Sequence, residues 1–166
     1  DISLTPGQLP PPNIDTGMSP GANPNAEWNV YWDPFAVSAV FASGIPVYMF
    51  PTLVTDQVPL TQAMLFEYFI PGAAQYRTVD LAAQLYAIAG YESGYHFWNT
   101  CTTAFLGQPS LFGFETLNLY VDISRDPSTQ GTMWTLNSGG YSVNVATTVD
   151  SNAFFNYYLT QLQSLG

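Results

Sequence analysis

The sequence predicts an α/β fold in which helices flank a sheet, with a late β-hairpin and a closing helix. Three observations support this prediction. Apolar residues make up 47% of the 166 residues and charged residues only 8%, so the chain can bury a substantial core. A short apolar helix is followed, across a glycine turn, by an apolar strand, which is half of a βαβ pattern. Strand-like segments with a glycine turn then recur between Leu117 and Thr147.

Proline and glycine dominate the first 26 residues. Asp1–Ala26 contains six prolines and three glycines. Neither a helix nor a central strand can run through such a segment, because proline lacks the backbone donor that both structures use. The sequence therefore predicts a loop or arm over residues 1–26 and a folded domain over residues 27–166.

A capped helix opens the regular structure. Asp33 directly before Pro34 is typical of a helix start, because the carboxylate caps the first turn and proline fits the first helical position. The helix should continue over Phe35–Ala42 and end at Ser43-Gly44. The apolar run Ile45–Phe50 then predicts a buried strand.

The remaining elements follow from apolar periodicity and turn residues. Helices are predicted at Leu60–Phe69, Thr78–Ala89 and Asn99–Leu106, with a closing amphipathic helix from Asp150 to Leu165. Strands are predicted at Leu117–Ile123, Thr132–Leu136 and Tyr141–Thr147, with Asn137–Gly140 as the turn between the last two.

Charge limits the partners that this chain can bind. Two basic residues, Arg77 and Arg125, stand against twelve acidic ones, which gives a net charge of −10. Nucleic acid and anionic membranes bind clustered cations, so neither is expected as a partner. The acidic balance, the absence of lysine and Asp1 in place of Met favour a secreted, processed chain. Cys101 has no basic neighbour in the sequence, which predicts a buried, unreactive thiol.

Four short motifs occur in the order in which one enzyme family carries them. Residues 23–34 (NPNAEWNVYWDP) resemble the Ala-Glu-Phe/Trp-Asn-Ile/Val-Tyr-X-Asp-Pro segment of the inosine/uridine-preferring nucleoside hydrolases. The others are Ser43–Val47 with Val54-Thr55, Tyr95–Thr100, and Val143–Ala146 with Val149-Asp150. The resemblance runs from Asn23 to the end of the sequence. It implies that the chain forms the C-terminal part of that family's mixed sheet.

The family's Asp-rich calcium loop (DxDxGxDD) has no counterpart in this sequence. Hydrolysis of an N-ribosidic bond needs an activated water, a base, and groups that fix the ribose hydroxyls. The resemblance therefore implies that no catalytic residue lies in this chain and that the chain alone is inactive. Ca²⁺ and a nucleoside would bind only in a heteromer with a second chain, the N-terminal half of the same fold.

Glu27 and Asn29 match the Glu and Asn with which the family binds sugar hydroxyls. A carboxylate and an amide two residues apart on an extended segment suit a ribose diol. The pair also fits loop stabilisation, with Glu27 solvated and Asn29 bonded to backbone. The family's earlier ribose-binding Asn aligns with Gln8, so Asn23 or Asn25 is the candidate to replace it.

Residues 95–100 contain the other candidates that the resemblance implies. Asn99 stands where the family has an Asp that reaches the calcium; its amide oxygen remains a metal ligand, but the lost charge predicts a weakened site. Trp98 stands where some members place a proton-donating His and others a Trp, and it is expected to form a wall against the base. His96 is a candidate contact to the base, although packing among the surrounding aromatic residues is the favoured interpretation.

Two functions fit these residues. The first is a nucleoside-hydrolase-like chain that contributes ribose contacts to a site completed by another, N-terminal chain. The second is a catalytically silent structural or binding protein on the same fold, which assembles through its Pro-rich arm, since Pro-Pro-Pro and Ser-Pro steps can dock as extended polyproline.

Overall fold

The computed structural model describes residues 23–89 and 94–166, so the predicted arm is described only from Asn23 onward and Gln8 lies outside this range. Contacts divide the described residues into two units. The first comprises residues 23–53 and 114–147, and the second comprises residues 54–89, 94–113 and 148–166. Within the described ranges, no helix has the length and apolar character that crossing a membrane requires.

In the described chain, helices lie on both sides of a short first strand, and three consecutive strands precede the last helix. The helices are α1 (Trp28–Trp32), α2 (Pro34–Ala42), α3 (Thr52–Thr55), α4 (Gln62–Met64), α5 (Ile70–Ala73), α6 (Arg77–Ala89), α7 (Trp98–Gly107) and α8 (Ser151–Ser164). A π-helical turn, Leu65–Phe69, joins α4 to α5, and a 3₁₀ turn, Pro109–Leu111, follows α7. The strands are β1 (Tyr48–Met49), β2 (Phe112–Val121), β3 (Met133–Leu136) and β4 (Tyr141–Val149).

The four strands form one mixed sheet in the order β1-β4-β2-β3. β1 runs parallel to β4, with Tyr48 opposite Asn144. β2 runs antiparallel to β3, with Val121 opposite Met133. The predicted α/β class and mixed sheet are confirmed.

The late β-hairpin is present, but its strands are β2 and β3. The sequence-based pairing of residues 132–136 with 141–147 is wrong, because β2 lies between β3 and β4. Gly139 and Gly140 adopt φ of +76° and +70°, and a Cβ on Gly140 would stand 2.6 Å from the carbonyl oxygen of Leu119 in β2. The turn therefore carries the chain across β2, where only glycine fits, instead of folding it back beside β3.

The strand predicted at residues 45–50 is present only as β1, and its predicted length and burial are wrong. β1 has only two residues, Ile45 is 70% exposed and Tyr48 is 49% exposed. Pro46 and Pro51 bracket the strand, and a proline donates no ladder hydrogen bond. The apolar composition of residues 45–50 does not reveal this limit on strand length.

Helix caps explain why most helical predictions are confirmed. The Asp33 side chain accepts a hydrogen bond from the Ala36 amide at 2.9 Å, and α2 follows. Asp150 accepts from the Ala153 amide at 2.9 Å at the start of α8. The helix predicted at residues 60–69 begins at Gln62 and continues beyond its predicted end through the π-helical turn into α5.

Each unit has its own core. In the first unit, apolar residues of β2, β3 and β4 pack with Val30 of α1, and Val37 and Phe41 of α2 lie against this cluster. In the second unit the core is aromatic and includes the fully buried Phe97 and Phe154. Ring pairs with centroids 5.1 to 5.8 Å apart connect these residues to each other and to their neighbours.

Replacing each turn glycine by alanine tests the crossing of β2. Gly139→Ala should lower the free energy of unfolding by about 1 kcal/mol, the strain of a left-handed backbone. Gly140→Ala should lower it by about 3 kcal/mol, because its methyl group also meets the Leu119 carbonyl. Urea unfolding of both variants measures the difference, and equal losses would contradict the crossing.

Candidate functional site

The Glu27 carboxylate holds the start of α1. Its Oε2 accepts hydrogen bonds from the backbone amides of Asn29 at 2.9 Å and Val30 at 3.2 Å, which are the second and third residues of the helix. Its Oε1 accepts from Nδ2 of Asn29 at 3.1 Å. These bonds satisfy two amides that a helix start leaves unpaired, and they fix the direction of the carboxylate.

The segment that bears this pair is helical, not extended as the sequence suggested. Residues 28–32 have the composition of a strand, being rich in Trp, Tyr and Val, but the capping carboxylate makes a helical turn favourable. Glu27 is partly buried and Asn29 is exposed. The pair therefore presents a fixed carboxylate and an adjacent amide at the surface of the first unit.

The two asparagines considered as further ribose contacts occupy different environments. Asn23 is fully buried. Its side chain accepts a hydrogen bond from the Asn25 backbone amide and donates two to the chain around Thr132. Asn25 is exposed. Of the two, only Asn25 has a side chain that a ligand in solution can reach.

The second unit contains the other candidates: His96, Trp98 and Asn99. The backbone of residues 95–97 lies antiparallel to residues 58–60, with an isolated bridge between His96 and Pro59. The Trp98 ring lies 5.3 Å from the His96 ring, centroid to centroid, and its Nε1 donates a 2.7 Å hydrogen bond to Oδ1 of Asp56. This bond fixes the orientation of a half-buried indole.

Asp56 is a site residue that sequence reasoning missed. It follows the Val54-Thr55 motif, but nothing in the sequence links it to Trp98, 42 residues further on. A lone acid directly after α3 was the available signal, and it is a weak one. The hydrogen bond depends on the antiparallel contact between residues 58–60 and 95–97, which is tertiary information.

His96 carries a buried polar atom. Its Nδ1 has no hydrogen-bond partner among residues 23–89 and 94–166. The ring lies in the aromatic environment that the sequence favoured, in contact with Trp98. A buried imidazole nitrogen without a partner loses its hydration without compensation. A hydrogen bond to this nitrogen would therefore stabilise the folded chain.

Asn99 is the second residue of α7 and is exposed. The first turn of α7 contains no acidic residue, and Phe97 at its N-cap provides no side-chain hydrogen bond. Among the described residues, no group of three or more His, Cys, Asp or Glu side chains could hold a metal ion. The residues described here do not by themselves fit calcium, which takes six to eight oxygen ligands, several of them charged.

Cys101 lies on the buried face of α7, as the sequence predicted. It is fully buried, and this burial raises the pKa of its thiol to about 12, because the thiolate would lose its hydration. The thiol is therefore protonated at neutral pH and belongs to the core of the second unit.

Comparison with known proteins gives a consistent result. The family model described as inosine-uridine preferring nucleoside hydrolase matches residues 16–156. A non-specific ribonucleoside hydrolase, RihC, from Salmonella schwarzengrund is 33% identical over 102 residues, which are 60% of this chain and 32% of that protein. Nucleoside hydrolase 3 of Arabidopsis thaliana is 44% identical over 48 residues, which are 29% of this chain and 5% of that protein.

Solved structures show the same likeness. The inosine-uridine preferring nucleoside hydrolase of Bacillus anthracis superimposes with a TM-score of 0.79 at 30% identity, over 95% of this chain and 48% of that chain. A purine-preferring ribonucleoside hydrolase from Gardnerella vaginalis gives a TM-score of 0.67 at 26% identity, over 84% of this chain and 46% of that chain. The chain thus spans about half the length of these two structures.

Removing the Asp56 carboxylate tests its control of Trp98. Asp56→Ala should speed solvent exchange of the Trp98 indole N–H by about fivefold, because a hydrogen bond to a charged group near the surface is worth about 1 kcal/mol. Asp56→Asn keeps an acceptor oxygen and should preserve most of the protection. Asp80→Ala removes a carboxylate from α6 in the same unit and serves as the control; equal effects of both alanine variants on this proton would contradict the assignment.

The reactivity of Cys101 tests its burial. At pH 8 a thiolate-specific reagent should label the native chain roughly a thousandfold more slowly than the urea-unfolded chain. The native thiol holds its proton more tightly, so native stability should also fall as the pH rises from the unfolded pKa of about 8.5 towards 12. In Cys101→Ala both the labelling and this part of the pH dependence should disappear; rapid labelling of the native chain would contradict the burial.

Proposed function

Because the chain belongs to the inosine-uridine preferring nucleoside hydrolase family, we propose that it contributes the ribose contacts of an N-ribosidic bond hydrolase. In this proposal Glu27 and Asn29 bind ribose hydroxyls, and a separate N-terminal chain completes the site. A calcium ion held mainly by that chain would supply the activated water. The substrate class is a nucleoside, in keeping with the family.

The carboxylate of Glu27 is the observation that supports this proposal. A carboxylate has about four acceptor sites, and the backbone and Asn29 use three of them, two on Oε2 and one on Oε1. One acceptor site on Oε1 remains for a hydroxyl donor, next to the exposed amide of Asn29. The helix start already orients this oxygen, so little entropy is lost when a ribose hydroxyl binds to it.

Trp98 and His96 suit the base end of a nucleoside. The indole of Trp98 is held by Asp56 and offers a flat apolar face against which a nucleobase can stack. The His96 ring is partly buried and lies 5.3 Å from the Trp98 ring, centroid to centroid, so it would lie beside a base stacked on the indole. We assign both residues to base binding, and we assign no proton transfer to either.

The chemistry of bond cleavage is assigned to residues outside this sequence. Asn99 can offer a neutral amide oxygen to a cation, but the described residues provide no charged ligand cluster. We propose neither a general base nor a water-activating group among the residues of this chain. This chain's part is to bind and orient the sugar and the base.

A second candidate is a silent binding protein on the same fold. The observation that favours it concerns Glu27, whose carboxylate already accepts three hydrogen bonds from its own chain. A purely structural cap would need the same geometry. The Pro-rich arm through which such a protein would assemble falls mostly outside the described residues.

Release of free nucleobase distinguishes the hydrolase from the silent binding protein. The chain is purified together with an N-terminal polypeptide that carries the Asp-rich loop and is assayed for free base from inosine and uridine in calcium. We expect release, and Glu27→Gln should lower kcat/KM about 30-fold, because a hydrogen bond to a charged group is worth about 2 kcal/mol. Asn29→Ala should lower it about tenfold.

The matched control is Glu115→Gln, which removes an exposed carboxylate from β2 and should leave kcat/KM within twofold. Circular dichroism confirms that each variant is folded. Absence of base release from the calcium-loaded two-chain protein would reject the hydrolase and leave the silent protein.

A further inference from the structure

The segment that carries Glu27 is attached to the sheet at one buried residue, Asn23. This side chain is fully buried, and all its hydrogen-bonding groups are used. Nδ2 donates to the Gln130 carbonyl at 2.9 Å and to Oγ1 of Thr132 at 2.8 Å. Oδ1 accepts from the Asn25 backbone amide at 2.9 Å. Two donors and one acceptor exceed what Ser or Thr can offer at this position.

The partner of Asn23 is itself firmly held. Residues 122–132 connect β2 to β3, and two backbone hydrogen bonds close the connection: the Asp122 amide donates to the Thr132 carbonyl at 2.9 Å, and the Gly131 amide donates to the Asp122 carbonyl at 2.8 Å. The connection therefore continues the antiparallel ladder of β2 and β3. Asn23 is thus bonded to an extension of the sheet.

Two further contacts place the following residues against the same connection. Ala26 forms an antiparallel bridge with Thr132. Gly131 has φ of +82°, and a Cβ there would stand 3.1 Å from the Ala26 Cβ and 3.1 Å from the Tyr31 Cα. Residues on both sides of Glu27 therefore lie against Gly131, and Glu27 follows the anchored Ala26 directly.

We infer that Asn23 is a positioning residue for the ribose site: its buried amide joins the chain before α1 to the β2–β3 connection and so sets the location of the Glu27 carboxylate. This inference rests on the proposed function of Glu27. It assigns Asn23 no contact with the sugar, since its side chain is buried and already bonded. A displacement of the α1 start by about 1 Å would move Oε1 out of hydrogen-bond range of a fixed ligand.

The first readout is local and needs no ligand. The amides of Asn29 and Val30 donate to Glu27, so their hydrogen exchange in the full chain reports whether the start of α1 stays in place. Asn23→Ser retains one hydroxyl and loses the two-donor amide. We expect it to raise exchange at both amides at least tenfold above the control variant Gly139→Ala, which strains the turn before β4 in the same unit and whose new methyl group would have no atom within 4 Å.

A double-mutant cycle identifies the bond responsible. Thr132→Val removes the hydroxyl that Asn23 contacts while keeping the shape of the side chain. If Asn23 acts through Thr132, the exchange rates in the double variant should fall well short of the product of the two single effects. Exchange in Asn23→Ser equal to that in Gly139→Ala would overturn the inference. Should Asn23→Ser fail to fold, Thr132→Val supplies the same comparison with the control.

The second readout is the affinity of the complete two-chain protein for inosine. We expect Asn23→Ser to raise the dissociation constant about tenfold, while Gly139→Ala leaves it within twofold below its unfolding temperature. An unchanged affinity together with faster exchange would overturn the link to the ribose site. Lack of inosine binding by the unsubstituted protein would instead reject the proposed function, and the exchange data would still decide whether Asn23 positions α1.

Discussion

Several described carboxylates accept hydrogen bonds from backbone amides, in a sequence whose two arginines cannot pair with all twelve acids. Glu27, Asp33 and Asp150 each accept hydrogen bonds from amides at a helix start. Such bonds give a short helix a defined beginning and give the carboxylate a defined direction. The candidate site depends on this constraint, since the oxygen that would meet the sugar is held by the same bonds that start α1.

Local signals of this kind made much of the fold predictable. An acid before an apolar run, as at Asp33 and Asp150, predicts a cap from the sequence alone, and the helices that follow were found within one or two residues. Helix α1 was not predicted, because glutamate is not among the usual capping residues and because the aromatic residues of α1 favour a strand. The same residues nevertheless marked the segment as important, through their resemblance to a family motif.

Sheet order was not predictable, because it depends on contacts between distant residues. The turn at Asn137–Gly140 has the composition of a tight hairpin, yet Gly140 lies against the Leu119 carbonyl and β4 continues on the other side of β2. The bond between Asp56 and Trp98 and the bonds of Asn23 to residues 130–132 share this origin. Their partners are 42 to 109 residues apart, beyond the reach of any local pattern.

The proposed sugar contact and a cation site would make different demands on this chain. A sugar hydroxyl needs an acceptor in a fixed position, and the Glu27 carboxylate is held in one by hydrogen bonds within its own unit. A cation needs net negative charge, and Asn99 brings only a dipole to the start of a helix whose first turn has no acid. An aspartate there would add a charge that the helix N-terminus itself stabilises by about 0.5 kcal/mol. With asparagine, the charge that a metal site would need must come from outside the described residues, whereas the carboxylate proposed to bind the sugar is held in place within them.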